Sequence, residues 1–417
     1  MWQRFKNLYH FAIALISNFK NGFPSRKLKV IGVTGTDGKT TTVYLIFHIL
    51  SFVGYNTSMI SSVGARIDGK DYDVGFHVTT PSSWQLQAFI KKIKDLITNS
   101  SQKNFLVLEV TSHALDQKRT WGINYEIGVI TNVTNEHLDY HKTYENYVNT
   151  KAKLFKNAKK IVLNKDDKSF EIIKKLDYVK NKKIITYSLN LKADFNLKST
   201  DFKAKITGDF NKYNILAAYA VCKELGIDES LIKKAINIFE LPIGRMERVY
   251  KKEFSIIVDF AHTPNALKNA LSVVSKETKG RVIHVFGSAG ERDTEKRSEM
   301  GKMSSLFSDI IILTAEDPRS ESVDMINSEI EKGLKKHFKL VNTKNYQDNR
   351  KNKNIYFKIN DRKEAINFAV SIAKKGDVII TTGKSHEKSM NYGKGEEPWN
   401  EYEAVKNAIK NKAVDKE

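Results

Sequence analysis

Val30-Ile-Gly-Val-Thr-Gly-Thr-Asp-Gly-Lys-Thr-Thr-Thr42 is the stretch on which the reading of this chain turns. Val30, Ile31 and Val33 predict a short buried strand. Gly35 and Gly38 then turn the chain into Lys39, and Tyr44, Leu45, Phe47, Ile49 and Leu50 continue with helical spacing. Strand, glycine loop and helix together make a phosphate cradle. Backbone N–H groups and the helix N-terminus face the anion, lysine reaches its outer phosphates, and the threonine after the lysine, Thr40, can ligate Mg²⁺. The usual P-loop spacing would put a glycine at Val33; the glycines stand instead at 32, 35 and 38. An ordinary glycine turn is the competing reading.

Working outward, the chain has 417 residues, enough for two to three domains, and 41% hydrophobic content suits globular packing. A single cysteine, Cys222, excludes an internal disulfide framework and fits a reducing cytoplasm, the expected location. The formal charge of +21 points to polyanionic ligands such as nucleotides. No nucleic-acid-binding signature accompanies it, so nucleic acid is not an expected partner. No apolar run reaches the ~18 residues of a transmembrane helix, and no stable membrane insertion is expected. The segment before Pro24 reads as an amphipathic helix packing on the following domain, with interfacial membrane contact as the lesser alternative.

Three segments share one design, an apolar strand ending in polar residues. Lys29–Val33 runs into the glycine loop, Phe105–Val110 carries Glu109, and Ile127–Asn132 leads to Glu136 and His137. Helical patterns between them predict parallel strands, whose carboxyl ends gather ligands. A carboxylate ending an apolar strand needs a partner, either Mg²⁺ or a structural cation. Pro242 and Gly244 break the helical pattern, and the design then recurs in Ser255–Asp259, Arg281–Phe286, Ile310–Leu313 and Val378–Ile380. The expected fold is α/β: a P-loop central domain with a mostly parallel sheet, followed by a smaller Rossmann-like domain. The expected boundaries are 1–27 for the leading helix, 28–241 for the ATP-binding domain and 242–417 for the last.

With these motifs in hand, residues from about 28 to 405 resemble the Mur ligase family, most closely its MurE type, which adds the third amino acid to a UDP-N-acetylmuramoyl dipeptide in cell-wall synthesis. The resemblance implies that Gly35, Thr36, Asp37, Gly38, Lys39, Thr40 and Thr41 form the ATP loop. It implies Thr40, Glu109 and His137 at Mg²⁺, and Lys151 as a CO₂-derived carbamate that helps hold metal. Lys153 competes for that role, but register with Leu154-Phe155 favours Lys151. Lys39, His137 and Lys151 are thereby the catalytic candidates. Thr79, Thr80, Thr111, Ser112, Gln117 and Arg119 correspond to muramoyl-peptide contacts. Asn211 and Asn214 fall in an adenine motif, and Arg245 and Asp259 fall at nucleotide contacts of the last domain. Arg292, Asp317, Arg319, Gly383 and Glu387 match places that hold the incoming amino acid, and the arginine at 319 implies diaminopimelate. The chain departs from the family pattern at Asp37, where asparagine is common, at Glu136 for aspartate, at Phe260 for tyrosine, at Glu316-Asp317 for Asp-Asn and at Ser385 for glycine.

The expected activity is therefore ATP-dependent amide-bond formation through an acyl-phosphate, with ATP and Mg²⁺ required. About 27 residues precede the ATP loop, where the MurE type carries a UDP-gripping domain. The expectations are that the leading helix substitutes for it, that a partner supplies it, or that the acceptor is not UDP-linked. A folylpolyglutamate-synthase-like ligase and a non-ligase P-loop ATPase are the alternatives.

Overall fold

The computed structural model describes residues 2–75, 79–97, 103–200, 202, 204–346 and 353–414. The chain divides into two compact units, Met1–Glu240 and Leu241–Glu417.

In the first unit the strands are β1 Lys29–Thr34, β2 Asn56–Ile60, β3 Ala65–Ile67, β4 Lys70–Tyr72, β5 Asn104–Glu109, β6 Tyr125–Ile130, β7 Ala158–Asn164 and β8 Lys183–Tyr187. They form one sheet in the order β4-β3-β2-β5-β1-β6-β7-β8. Strands β2, β5, β1, β6, β7 and β8 are mutually parallel, and β3 and β4 add an antiparallel edge. The chain leaves β1 on one side and returns as β6 on the other, so β1 lies at the reversal of strand order, where ligands bind in open α/β sheets. Helices α1 Trp2–Asn21, α2 Lys39–Phe52, α3 Tyr144–Ala152 and α4 Asp209–Glu224 serve the site or its surroundings.

Strand β1 is apolar on both faces because helices cover both: Val30, Ile31 and Val33 are fully buried. Each such side chain contributes about 1.5–3 kcal/mol on burial. Gly32 belongs to this packing rather than to the loop. A Cβ there would lie 2.7 Å from the Tyr125 ring and 2.9 Å from Leu154. That requirement accounts for a glycine outside the usual P-loop spacing.

The second unit holds β9 Glu247–Lys251, β10 Ser255–Asp259, β11 Val282–Phe286, β12 Ile310–Leu313, β13 Lys339–Leu340, β14 Ile355–Lys358 and β15 Val378–Thr382. Their order is β13-β14-β12-β11-β15-β10-β9, parallel except for the edge strand β9. A small hairpin, β16 Ser389–Asn391 and β17 Glu396–Pro398, follows. Both units are therefore α/β with mostly parallel sheets, as the sequence predicts.

Two details differ. The leading helix stops at Asn21, short of Pro24, because Gly22 takes φ 64° and Pro24 opens a separate 3-10 turn. Strand β6 ends at Ile130, two residues earlier than expected, which frees Thr131 and Asn132 for the loop below.

Candidate active site

Register fixes the first unit's site. Val33 pairs with Glu109 across β1 and β5, and Thr34 pairs with Ile130 across β1 and β6. The glycine loop, Glu109 and Asn132 therefore emerge side by side at the carboxyl ends of three adjacent strands. Gly38 caps α2 at φ 79°, a conformation that favours glycine, and Lys39 begins the helix.

The loop is held from behind. The Thr36 N–H donates to the Asn132 carbonyl at 2.9 Å. The Asp37 N–H donates to Asn132 Oδ1 at 3.0 Å, and the Asp37 carbonyl accepts from Thr131 Oγ1 at 2.7 Å and Asn132 Nδ2 at 3.1 Å. Lys39 Nζ folds back on the Thr36 carbonyl at 2.8 Å. Thr41 is buried within the first turn of α2.

Glu109 is buried, and its carboxylate accepts from Thr40 Oγ1 at 3.1 and 3.2 Å and from the Ser62 N–H at 3.0 Å. Lysine, arginine and histidine provide it no ion pair among the described residues. A buried carboxylate beside a hydroxyl is a hard-oxygen donor set that suits Mg²⁺. Among the described residues no three His, Cys, Asp or Glu side chains form a metal cage by themselves.

Lys151 lies in the last turn of α3 and is buried, with Nζ 2.6 Å from the Gly35 carbonyl oxygen and 4.4 Å from the Tyr147 ring centroid. Burial, then the positive charge of Lys39, holds its amine well below the ordinary lysine range, against the pull of Glu136 and Asp37. Lys153 differs: it is half-exposed and pairs with Asp116 at 2.7 Å.

His137 sits at φ 55°, its Nε2 3.7 Å from Glu136 and its ring 5.0 Å from that of His113. His141 Nε2 lies 3.0 Å from Ser112 Oγ, and burial, with His113 next, brings its pKa down to about 3.

The expected acceptor residues converge nearby. Thr80 Oγ1 accepts from the Thr111 N–H at 2.9 Å and donates to the Glu109 carbonyl at 3.1 Å. Arg119 donates to the Thr80 carbonyl at 2.6 Å, and Thr79 is half-buried beside Thr80. Thr111 caps the helix Ser112–Asp116, and half-buried Gln117 follows directly after it.

The two asparagines of α4 stand behind the loop. Asn214 lies so close to Gly38 that a Cβ there would be 2.2 Å from its Oδ1, and Asn214 Nδ2 donates to Asn211 Oδ1 at 3.3 Å.

In the second unit, Arg292, Arg319 and Glu387 follow β11, β12 and β15, which are parallel neighbours, so all three stand at one sheet edge. Lys384 is fully buried and pairs with both Asp317 oxygens at 2.9 Å and with Glu387 at 2.8 Å. Arg319 takes φ 55° and Asp317 φ 47°, strained conformations that cluster at functional sites. The Arg319 guanidinium makes no side-chain ion pair among the described residues, because Glu321 pairs with Arg297 instead. Glu316 is buried against Gly383, its Oε2 without a hydrogen bond, and burial raises its pKa to about 8 against Lys296 and Arg362.

Ser385 fits through Gly244, donating to that residue's carbonyl at 3.1 Å. Asp259 binds the N–H groups of Met246 and Ala261 at 2.7 and 2.8 Å, holding the turn that carries Arg245. Arg245 lies 4.7 Å over the Phe260 ring.

Sequence reading missed Arg362. It is fully buried and pairs with Glu401 at 2.7 Å. It also donates to the Ala315 and Thr382 carbonyls, which precede the 316–319 and 383–387 loops. An arginine at a helix start carries no signal of that role.

A glycine loop at the switch point of a parallel sheet, with a buried carboxylate beside it, suits an enzyme that binds a nucleotide. The Mur ligase middle domain matches residues 33–222, and the Mur ligase glutamate ligase domain matches residues 244–385. The chain belongs to the Mur ligase family, whose members are ATP-dependent amide ligases. It is 38% identical over 408 residues, 93% of this chain and 79% of the relative, to UDP-N-acetylmuramoyl-L-alanyl-D-glutamate–2,6-diaminopimelate ligase 1 of Clostridium acetobutylicum. It is 37% identical over 432 residues, 94% of this chain and 79% of the relative, to UDP-N-acetylmuramyl-tripeptide synthetase of Borreliella burgdorferi. A solved UDP-N-acetylmuramoyl-L-alanyl-D-glutamate–2,6-diaminopimelate ligase superposes with a TM-score of 0.57 at 27% identity, covering 93% of this chain and 79% of that one.

Proposed function

We propose that this chain joins diaminopimelate to UDP-N-acetylmuramoyl-L-alanyl-D-glutamate in peptidoglycan precursor synthesis. ATP phosphorylates the acceptor carboxylate, the amine of the amino acid attacks the acyl-phosphate, and phosphate leaves. In this reading residues 28–241 bind ATP and acceptor, and residues 242–417 bind the amino acid.

The loop from Gly35 to Thr41 receives the phosphates, and Lys39 neutralises charge as the terminal phosphoryl moves. Thr40, Glu109 and His137 would hold Mg²⁺, which supplies charge neutralisation. Lys151, with its lowered amine pKa, would carry the carbamate. Asn211, Asn214, Arg245 and Asp259 would serve the nucleotide. Thr79, Thr80, Thr111, Ser112, Gln117 and Arg119 would serve the acceptor, and Arg292, Asp317, Arg319, Gly383 and Glu387 the amino acid.

The Arg319 guanidinium, which makes no side-chain ion pair among the described residues, carries the choice of amino acid. Arginine holds a carboxylate through two parallel hydrogen bonds, and diaminopimelate offers a second carboxylate that lysine lacks. Phosphate release is the test. It should require ATP, the UDP-linked dipeptide and diaminopimelate together. Release with a folyl-glutamate acceptor, or with ATP alone, would assign one of the alternatives instead.

A further inference from the structure

Helix α1 is amphipathic in the inverted sense: it turns its polar face inward. Asn18 Nδ2 donates to the Trp121 carbonyl at 2.8 Å, Asn7 Nδ2 to Asp116 at 3.0 Å, and Gln3 Nε2 to the Tyr140 hydroxyl at 2.7 Å. Ser17 and Asn18 are fully buried, and Phe11 packs edge-on against Trp121. Phe5, Leu8, Tyr9, Ile16 and Phe19 point the other way, each 57% to 65% exposed. At 100° per residue they fall within an arc of about 100°.

A contiguous exposed apolar stripe marks an interaction surface. Its chemistry narrows the partner. The helix contains no acidic residue, while Arg4, Lys6 and Lys20, then Arg26 and Lys27, give the segment only positive charge. Lys20 lies 4.6 Å over the ring of half-exposed Trp84, which extends the patch. Among the described residues no helix is long and apolar enough to cross a membrane. Aromatic and aliphatic side chains in one arc, with cations and no anions, fit the boundary between headgroups and acyl chains of an anionic bilayer.

We propose that the outward face of α1 docks this protein peripherally on an anionic lipid surface. Co-sedimentation of the full chain tests it, using vesicles of equimolar phosphatidylglycerol and phosphatidylcholine beside vesicles of phosphatidylcholine alone. The native chain should sediment with the anionic vesicles and less with the neutral ones. Replacing Phe5, Leu8, Ile16 and Phe19 together by serine should weaken vesicle binding by about tenfold or more, with phosphate release in vesicle-free buffer unchanged. The pair Lys6→Glu and Lys20→Glu, which leaves the apolar residues intact, should also weaken anionic-vesicle binding. Absent binding by the native chain, or binding that both variants retain, overturns the proposal. So does self-association of the native chain that the serine variant abolishes without any vesicle binding, a result that assigns the stripe to a second copy.

Discussion

Lys151 Nζ donates to the carbonyl oxygen of Gly35 at 2.6 Å, tying the end of one helix to the first residue of the phosphate loop. The amine is buried and burial depresses its pKa, which favours the neutral, nucleophilic form over that of an exposed lysine. Bicarbonate should therefore modify the native chain. We expect added mass consistent with CO₂ at Lys151, and partial rescue of Lys151→Ala turnover by short carboxylates. An unmodified Lys151 alongside modified Lys153 would reverse the assignment.

Lys39 is the first residue of α2, and its amine donates to the Thr36 carbonyl at 2.8 Å. Lys39→Ala should lower phosphate release by about 10²–10³-fold and leave thermal unfolding unchanged. A variant that releases phosphate normally would remove the loop from the chemistry, and one that unfolds would make Lys39 structural.

For the amino-acid pocket, the comparison is diaminopimelate against L-lysine. Native enzyme should prefer diaminopimelate, and Arg319→Ala should raise its KM by about 10²-fold, the loss of one charge-assisted pair. Equal use of both amino acids by the native enzyme would refute the role of Arg319.

Glu316 gives the pH dependence. Its folded pKa, about 8, lies above the ordinary 4.5. The folded state holds a proton that the unfolded state has released between those values, so stability falls as pH rises through that window. The contribution is fully present below about 4.5 and lost above about 8. Glu316→Gln should flatten the slope of melting temperature against pH between these limits. An unchanged slope would mean another group titrates.

Much of this was legible in the sequence. The periodicity of Val30–Val33 and of Tyr44–Leu50 marks strand and helix, and the glycines between them mark a turn, so the strand–loop–helix unit follows from local physics. Strand parallelism follows from the helices between strands. Placement by tertiary packing was not legible. Nothing local says that Asn214 presses on Gly38, that Gly32 serves the Tyr125 ring, or that Arg362 ties two loop bases together. The leading helix shows the same limit. Its amphipathic period can be read, but which face turns inward depends on Trp121 and Asp116, more than 90 residues away in sequence.

The hydrogen bonds from Thr131 and Asn132 behind the glycine loop also have a kinetic consequence. A loop already shaped before nucleotide arrives loses little conformational freedom on binding, so its ordering subtracts little from affinity. Association then requires no loop folding as a slow step, and ATP capture should follow a single phase whose rate rises linearly with ATP concentration. Loosening the anchor with Asn132→Ala, which removes the two side-chain contacts to Asp37, would move part of that ordering into the binding event, and the loss would appear in the association rate as well as in residence time.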